Sequence, residues 1–313
     1  PTGSMAERWS FKSFLIFGLF ISMFVYPLFG NWVLGGGWLS QLGANFGLGH
    51  GHVDFAGSSV VHMVGGVAAL AGAIIIGPRV GKFNADGTPN TIPGHNIPMA
   101  LLGTFILALG WFGFNPGSTL AGADFRISIV AVNTMMAGTA GTLAVLIILY
   151  MQGKKPDPGM LANGMLAGLV AITAPCAFVN SLSSVIIGAI AGGLVVLTIY
   201  IMDYKLKIDD PVGAFAVHGV NGAWGVLSLG LFADGTYGDG WNGVKGTVKG
   251  LFYGDAGQFG AQCIGTLTCA IFVFIVMYVF FKISNKITPI RVKEADEVAG
   301  LDVPEMGVLG YVD

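Results

Sequence analysis

Charged residues are scarce in this chain: it has 313 residues, of which only 10% are Asp, Glu, Lys or Arg. Soluble domains carry about 25% charged residues, so the shortage excludes a soluble globular enzyme. The sequence also lacks a long basic or acidic block, which excludes a nucleic-acid binder. It has only three cysteines, all within apolar stretches, which are Cys176, Cys263 and Cys269. They indicate buried thiols rather than a disulfide framework or a metal site.

Apolar residues and glycine are abundant in this chain. The chain is 54% hydrophobic with 50 glycines, and its mean hydropathy is +0.74. The glycines have no period of three, which excludes collagen. A helix needs about 20 apolar residues to cross a bilayer, and eight stretches meet this requirement. They predict an all-α polytopic membrane protein with spans one to eight at Ser13–Gly30, Phe55–Gly77, Ile97–Phe114, Ile127–Met151, Gly159–Val179, Ser181–Met202, Pro211–Phe232 and Gly257–Phe281.

The basic residues predict the orientation of these spans. Of the 15 lysines and arginines, 12 fall on one side of an eight-span arrangement. Only Arg126, Lys245 and Lys249 fall on the other side. The positive-inside rule therefore places both termini in the cytoplasm. We expect a transmembrane domain over residues 1–285 and, because acidic residues replace apolar ones there, a cytoplasmic tail over 286–313.

Spans two and seven share an internal sequence repeat. The segments Asp54–Gly66 and Asp210–Gly222 both fit the pattern D-x6-V-H-x-V-x-G. Because the spans are five apart, they run in opposite directions, as in an inverted repeat of five spans per unit. One unit is complete, and the other has only one span before span two. We therefore expect the chain to be the C-terminal part of an eleven-span protein, with two five-span repeats and one further span.

The repeat places a histidine at the same depth in each unit. His62 and His218 are each the eighth residue of their predicted spans, about 12 Å below opposite membrane faces. In a core about 30 Å thick, the two rings are then offset by only about 6 Å, so we expect them to approach each other. A lone buried histidine that bonds a neighbouring helix is the alternative, which the symmetric pairing disfavours. Two imidazoles lack the further ligands that zinc needs, so no metal is expected.

A close histidine pair favours a small neutral permeant. Two adjacent positive charges repel each other, whereas a pair that shares one proton offers both an acceptor and a donor. Ahead of the first histidine, Asp54 is predicted to cap the helix, and its negative field would also attract a cation. Span three ends with Trp111, Phe114 and Ser118, an aromatic and hydroxyl set that could replace water around a cation. An interfacial aromatic belt is the alternative for these rings.

Short motifs along nearly the whole chain resemble those of the ammonium transporter, methylammonium permease and Rhesus family, and its ammonium transporter branch more than its Rhesus branch. They are Ala6-Glu7-Arg8, Gly35-Gly36-Gly37-Trp38, Asp54-Phe55-Ala56-Gly57, His95-Asn96-Ile97-Pro98-Met99, Gly110-Trp111-Phe112-Gly113-Phe114-Asn115, Val132-Asn133-Thr134, Val217-His218-Gly219 and Gly300-Leu301-Asp302. The resemblance implies eleven spans in two pseudo-symmetric halves, a homotrimer with one pore per subunit, and possible coupling to a cytoplasmic PII-type regulator.

The resemblance also implies roles for individual residues. His62 and His218 match the paired pore histidines, and Phe114 matches one of two gate phenylalanines. Further matches are Ser118 and Asp54 for the external ammonium site and Trp111 for the pore wall. Two positions depart from the family pattern. Leu34 stands where the external site usually has a tryptophan, which removes a cation–π partner. Met306 stands where the tail usually has histidine, so this position argues against assigning the family's regulation through the tail directly to this chain.

These features together predict a channel or transporter for ammonium in the plasma (inner) membrane. Ammonium, or methylammonium, would be captured outside and deprotonated, and ammonia would pass the histidine pair in the lipid bilayer. An ammonium sensor on the same scaffold, signalling through the tail, is the alternative. A metal-ion or amino-acid carrier would need charged ligands inside the spans, and the sequence has none there. No enzymatic constellation or cofactor motif is present, so no cofactor is expected.

Overall fold

The computed structural model describes residues 1–311, and across these residues the chain folds into helices and loops without a strand. Apolar runs of the sequence form the long helices, while the loops between them hold most of the left-handed glycines. The helices are α1 (Phe11–Leu34), α2 (Leu42–Phe46), α3 (Ser58–Ile76), α4 (Ile97–Thr119), α5 (Arg126–Met151), α6 (Pro158–Ile172), α7 (Ser181–Leu206), α8 (Phe215–Phe232), α9 (Ala256–Ile287) and α10 (Glu294–Ala299).

Within the described residues, seven helices are long and apolar enough to cross a membrane, and each lies on a predicted span. The fifth predicted span, Gly159–Val179, differs. Its helix α6 has 15 residues and ends at Ile172, and turns follow over residues 173–178. The cause is Pro175, because a proline disfavours the helical conformation of the residue before it and cannot donate a hydrogen bond.

Helices α3 and α8 begin three and four residues later than the sequence predicted. In both, a glycine with a left-handed backbone precedes the helix: Gly57 has φ +119° and Gly213 has φ +69°. Other residues rarely adopt this conformation, so each glycine fixes the point at which the chain turns into the helix. An aspartate three residues earlier, Asp54 or Asp210, accepts hydrogen bonds from the first amides of the helix. The two halves of the repeat thus share a D-x-x-G start.

The helices pack in two groups around α3 and α8. Helices α5, α6 and α7 contact one another, and α9 contacts α3 and α8. The two repeat helices meet backbone to backbone at Gly66 and Gly219. A Cβ added to Gly66 would lie 2.0 Å from the Gly219 nitrogen. Only a residue without a side chain fits this crossing, as at other close helix contacts in membranes.

The substitution Gly66→Ala is expected to destabilise the protein by about 1–3 kcal/mol, the usual cost of overpacking a close contact. The new methyl group meets backbone, which cannot move aside as a flexible side chain can. Thermal unfolding of the purified protein in detergent measures the effect. Gly65→Ala is the matched control, because the nearest atom to its added Cβ is 4.0 Å away. Equal melting temperatures for the two variants would contradict the tight crossing.

A buried ion-pair network lies at the end of α3. The Asp209 carboxylate accepts hydrogen bonds from the Arg79 side chain at 2.9 and 3.0 Å and from its backbone nitrogen at 2.9 Å. Burial alone would raise the pKa of Asp209, but these hydrogen bonds and the Arg79 charge hold it below its ordinary value. Arg8 is fully buried beside them and donates to the Gly77 and Asp209 carbonyls. The tail joins the network through Glu297, which accepts from the Val80 nitrogen and from Arg291.

Candidate functional site

The two repeat histidines are in direct contact. The Nδ1 atoms of His62 and His218 lie 3.2 Å apart, and their rings are nearly parallel at 16° with centroids 5.3 Å apart. His62 is buried, and its Nε2 atom has no hydrogen-bond partner among the described residues. The close approach expected from the repeat is therefore present.

The contact dictates how the pair can hold protons. One Nδ1 must carry a hydrogen and the other must accept it. In a neutral pair, the ring that donates through Nδ1 has an acceptor at Nε2, and the other ring has a donor there. The pair can thus accept one hydrogen bond from a small molecule and donate one to it. Both rings lie in wide helical turns, at Ser58–Met63 and Phe215–Val220. Such π-type turns recur at functional sites, and the sequence analysis missed them.

Two aromatic rings cover His62. Trp111 stacks on it with centroids 5.3 Å apart and planes 13° apart, and Phe114 lies at 5.5 Å. Trp111 is itself buried and touches Phe114. The structure thus brings together four residues that the sequence singled out separately, namely His62, His218, Trp111 and Phe114.

Thr173 orients Trp111, and the sequence analysis missed it. Its hydroxyl accepts a hydrogen bond from the Trp111 indole Nε1 at 3.1 Å and donates to the Leu169 carbonyl at 2.7 Å. Thr173 is fully buried in the turn that follows α6. The only sequence signal was a threonine next to the break at Pro175, in a stretch read as an unbroken span.

The substitution Thr173→Val is expected to loosen Trp111 from His62. It leaves the buried indole N–H without a partner, which costs about 1–3 kcal/mol. We expect a lower melting temperature of the purified protein. In reconstituted protein, we expect the ammonium uptake that the sequence resemblance implies to fall about twofold to tenfold. Thr173→Ser keeps the hydroxyl and should behave as the parent protein. A Thr173→Ser variant as impaired as Thr173→Val would show that the hydroxyl is not what positions the ring.

The remaining candidates lie apart from the histidine pair. Ser118 is half-buried one turn beyond Phe114, and its hydroxyl donates to the Phe114 carbonyl at 2.7 Å. The fully buried Asp54 carboxylate accepts four backbone amides and the Ser59 hydroxyl, at 2.7–3.0 Å. This is the predicted helix cap. Leu34 ends α1 with 56% of its surface exposed. Helix α1 contacts the first turns of α3.

The arrangement suits a small molecule that exchanges a proton and then moves as a neutral species. An apolar and aromatic surrounding disfavours a hydrated ion, because burial without compensating partners costs a charge far more than a neutral amine. The imidazole pair supplies both hydrogen-bond roles within that surrounding.

Comparison with known proteins identifies the chain's relatives. A model of the Ammonium Transporter Family matches residues 1–311. The chain belongs to this family. It is 46% identical to the ammonium transporter Amt2 of Archaeoglobus fulgidus over 312 residues, which cover 99% of this chain and 66% of that protein. It is 37% identical to an ammonium transporter of Bacillus subtilis, covering 100% of this chain and 72% of the relative. The chain spans about two thirds of the length of the curated relatives it matches.

Solved structures of the family share the fold. A protein named Sensor Amt Protein superposes with a TM-score of 0.87 at 39% identity, covering 97% of this chain and 72% of that one. Mep2 of Candida albicans superposes with a TM-score of 0.79 at 29% identity, covering 92% and 61%. The family and the long apolar helices together make this a multi-pass membrane protein.

Proposed function

We propose that this protein conducts ammonium across a membrane as ammonia. The observation that carries the proposal is the 3.2 Å contact between His62 and His218, buried beside aromatic rings in a chain of the ammonium transporter family. A passage lined by this histidine pair and these aromatic rings offers hydrogen bonds to ammonia. It offers no charged partner that would offset the cost of burying a full positive charge.

The proposed path begins at the outer face. Ammonium is captured near Ser118, where the Asp54 charge attracts it. It passes the Phe114 gate beside Trp111 and loses its proton, and ammonia then crosses past the histidine pair. The proton either returns outside or follows along the pair. Leu34 offers no aromatic face to the cation, so we expect weaker external binding than a tryptophan there would give.

The proposal includes the architecture around this path. The chain would supply eight spans of an eleven-span inverted repeat, with residues 1–285 in the membrane and 286–313 as a cytoplasmic tail. It would assemble as a homotrimer in the plasma membrane, with a PII-type protein as a candidate cytoplasmic partner. Support comes from the 12 to 3 distribution of basic residues and from the matching D-x-x-G starts of α3 and α8. The sensor alternative is not favoured, because the curated relatives reported above carry transporter names, although one solved relative is named Sensor Amt Protein.

Reconstitution of the full-length protein in vesicles tests the proposal. We expect a saturable ammonium-dependent uptake above that of protein-free vesicles, a slower uptake of methylammonium, and none of potassium. Recording the interior pH and the membrane current together separates the two fates of the proton. Entry of ammonia alone raises the interior pH without a current, whereas entry of ammonia with its proton produces a current. Uptake equal to that of protein-free vesicles would overturn the proposal.

A further inference from the structure

His52 is a fully buried histidine outside the pore pair, and the proposed path does not use it. Its side chain has no exposed surface, and it lies in the loop before α3. Its Nε2 atom lies 3.0 Å from the Ser59 hydroxyl oxygen. That hydroxyl in turn lies 2.7 Å from an oxygen of Asp54. A continuous chain of polar atoms therefore joins His52 to the aspartate that caps the pore helix.

The direction of these hydrogen bonds follows from counting donors. Every hydrogen bond that reaches the Asp54 carboxylate is donated to it, so the single hydrogen of the Ser59 hydroxyl points at Asp54. The Ser59 oxygen can then only accept from His52. His52 must therefore carry its hydrogen on Nε2, and the whole chain is polarised towards Asp54. Hydrogen bonds that point the same way strengthen one another in a buried setting.

The other edge of the ring faces helix α9. The His52 Nδ1 atom is buried without a hydrogen-bond partner among the described residues. It lies where a side chain of Gly265 would be, since a Cβ added there would be 2.0 Å from Nδ1. The missing side chain at Gly265 thus leaves a space that the imidazole fills. The donor count requires only a hydrogen on Nε2, and the unpartnered Nδ1 then favours the neutral ring, because a charged ring would carry a second N–H that needs an acceptor.

The backbone on both sides of His52 is fixed to the same helix. Gln262 donates to the Val53 carbonyl at 2.7 Å and accepts from its nitrogen at 2.8 Å. Gln258 accepts from the His50 nitrogen at 2.8 Å. Burial also lowers the pKa of His52 to about 4, which keeps the ring neutral near pH 7. Helix α9 therefore holds a neutral donor in one fixed position.

We propose that His52 is a positioning residue that acts through Ser59 on Asp54. It holds the Asp54 carboxylate, and with it the first turn of α3, in the place from which that charge attracts ammonium. This inference rests on the proposed function for its effect on transport, but the state of the His52 ring is independent of transport.

Ring nitrogen chemical shifts test the state of His52 directly. In the full-length protein with 15N-labelled histidine, His52→Gln identifies the His52 signals by their loss. We expect a neutral ring with its hydrogen on Nε2 throughout pH 6 to 8. A charged ring, or a hydrogen on Nδ1, would overturn the inference whatever the transport assay shows.

Transport kinetics test the coupling to Asp54. His52→Leu removes the donor and should raise the KM for ammonium about threefold to tenfold with little change in the maximal rate, the size expected for one lost hydrogen bond. His52→Gln retains a donor and should restore most of the affinity. In a Ser59→Ala background, His52→Leu should have no further effect, because the two residues act in one chain. Additive effects would overturn the inference.

Helix α9 provides a test that leaves His52 itself intact. Gly265→Ala should displace the ring and reproduce the KM of His52→Leu, since its methyl group would occupy the position of Nδ1. Gly260→Ala on the same helix is the control, because the nearest atom to its added Cβ is 3.9 Å away. If the parent protein shows no saturable uptake, the proposed function fails. If it does and Gly265→Ala matches Gly260→Ala, only the role of His52 fails.

Discussion

Replacement of both histidines of the pair, His62→Ala with His218→Ala, is expected to reduce ammonium uptake in reconstituted vesicles about 30-fold to 150-fold. The double variant removes every polar side-chain atom of the pair and leaves an apolar lane between aromatic rings. A polar molecule that is buried without a hydrogen-bond partner loses about 2–3 kcal/mol, and each 1.4 kcal/mol is a tenfold change in rate. Each single variant keeps one imidazole, so we expect an intermediate rate for each of them.

The exposed His95 provides the control for this experiment. It lies in the loop before α4, away from the pair, so His95→Ala should transport as the parent protein does. Melting temperatures of all variants show whether a lost rate reflects a lost fold. An uptake by the folded double variant equal to that of the parent would remove the histidine pair from the mechanism.

The substitution Asp209→Ala is expected to destabilise the protein by about 3–5 kcal/mol, the usual result of removing one partner from a buried ion pair. It leaves the guanidinium of Arg79 without the two hydrogen bonds of 2.9 and 3.0 Å that it makes to this carboxylate. Arg8, fully buried nearby, loses its closest acidic neighbour, which lies at 3.9 Å. Thermal unfolding in detergent measures the loss. Glu294→Ala, an exposed acidic residue of α10, is the control and should change stability little.

The contribution of Asp209 should also depend on pH in one direction. Its pKa is lower in the folded protein than in the unfolded chain, because Arg79 binds the charged form. The stabilisation is therefore fully present above the unfolded pKa of about 3.9 and is lost as the pH falls through the folded value. The difference in stability between the parent and Asp209→Ala should be constant from pH 5 to 8 and shrink below pH 4. A difference that grew on acidification would contradict this assignment.

The histidine pair was predictable because the sequence repeats itself. The D-x6-V-H-x-V-x-G pattern places a histidine at the same position in each repeat helix, which led us to expect that the two rings approach each other, and their Nδ1 atoms lie 3.2 Å apart. Helix boundaries were less predictable where a single residue decides them. Gly57 and Gly213 delay the starts of α3 and α8, and Pro175 ends α6 early. A count of apolar residues along the chain does not register such single residues.

The supporting residues could not be found from the sequence, because their partners are far away in the chain. Thr173 orients Trp111 from a position 62 residues later. Gln262 holds Val53 across 209 residues. No spacing or periodicity encodes such pairs, since the fold alone brings them together. His52 differs, because its partner Ser59 is only seven residues away, but that spacing alone does not show that the ring and the hydroxyl meet.

The contact between Gly66 and Gly219 has a consequence for the mechanism of the proposed transport. Carriers that alternate between two faces rock one repeat against the other around a central site. Here the two repeat helices meet through backbone atoms, beside the histidine pair. Rocking one helix against the other would have to break this close backbone contact, which has no side chains that could adjust. The fold therefore favours permeation through a fixed passage over alternating access. Its selectivity then depends on the chemistry of the passage rather than on a cycle of conformations.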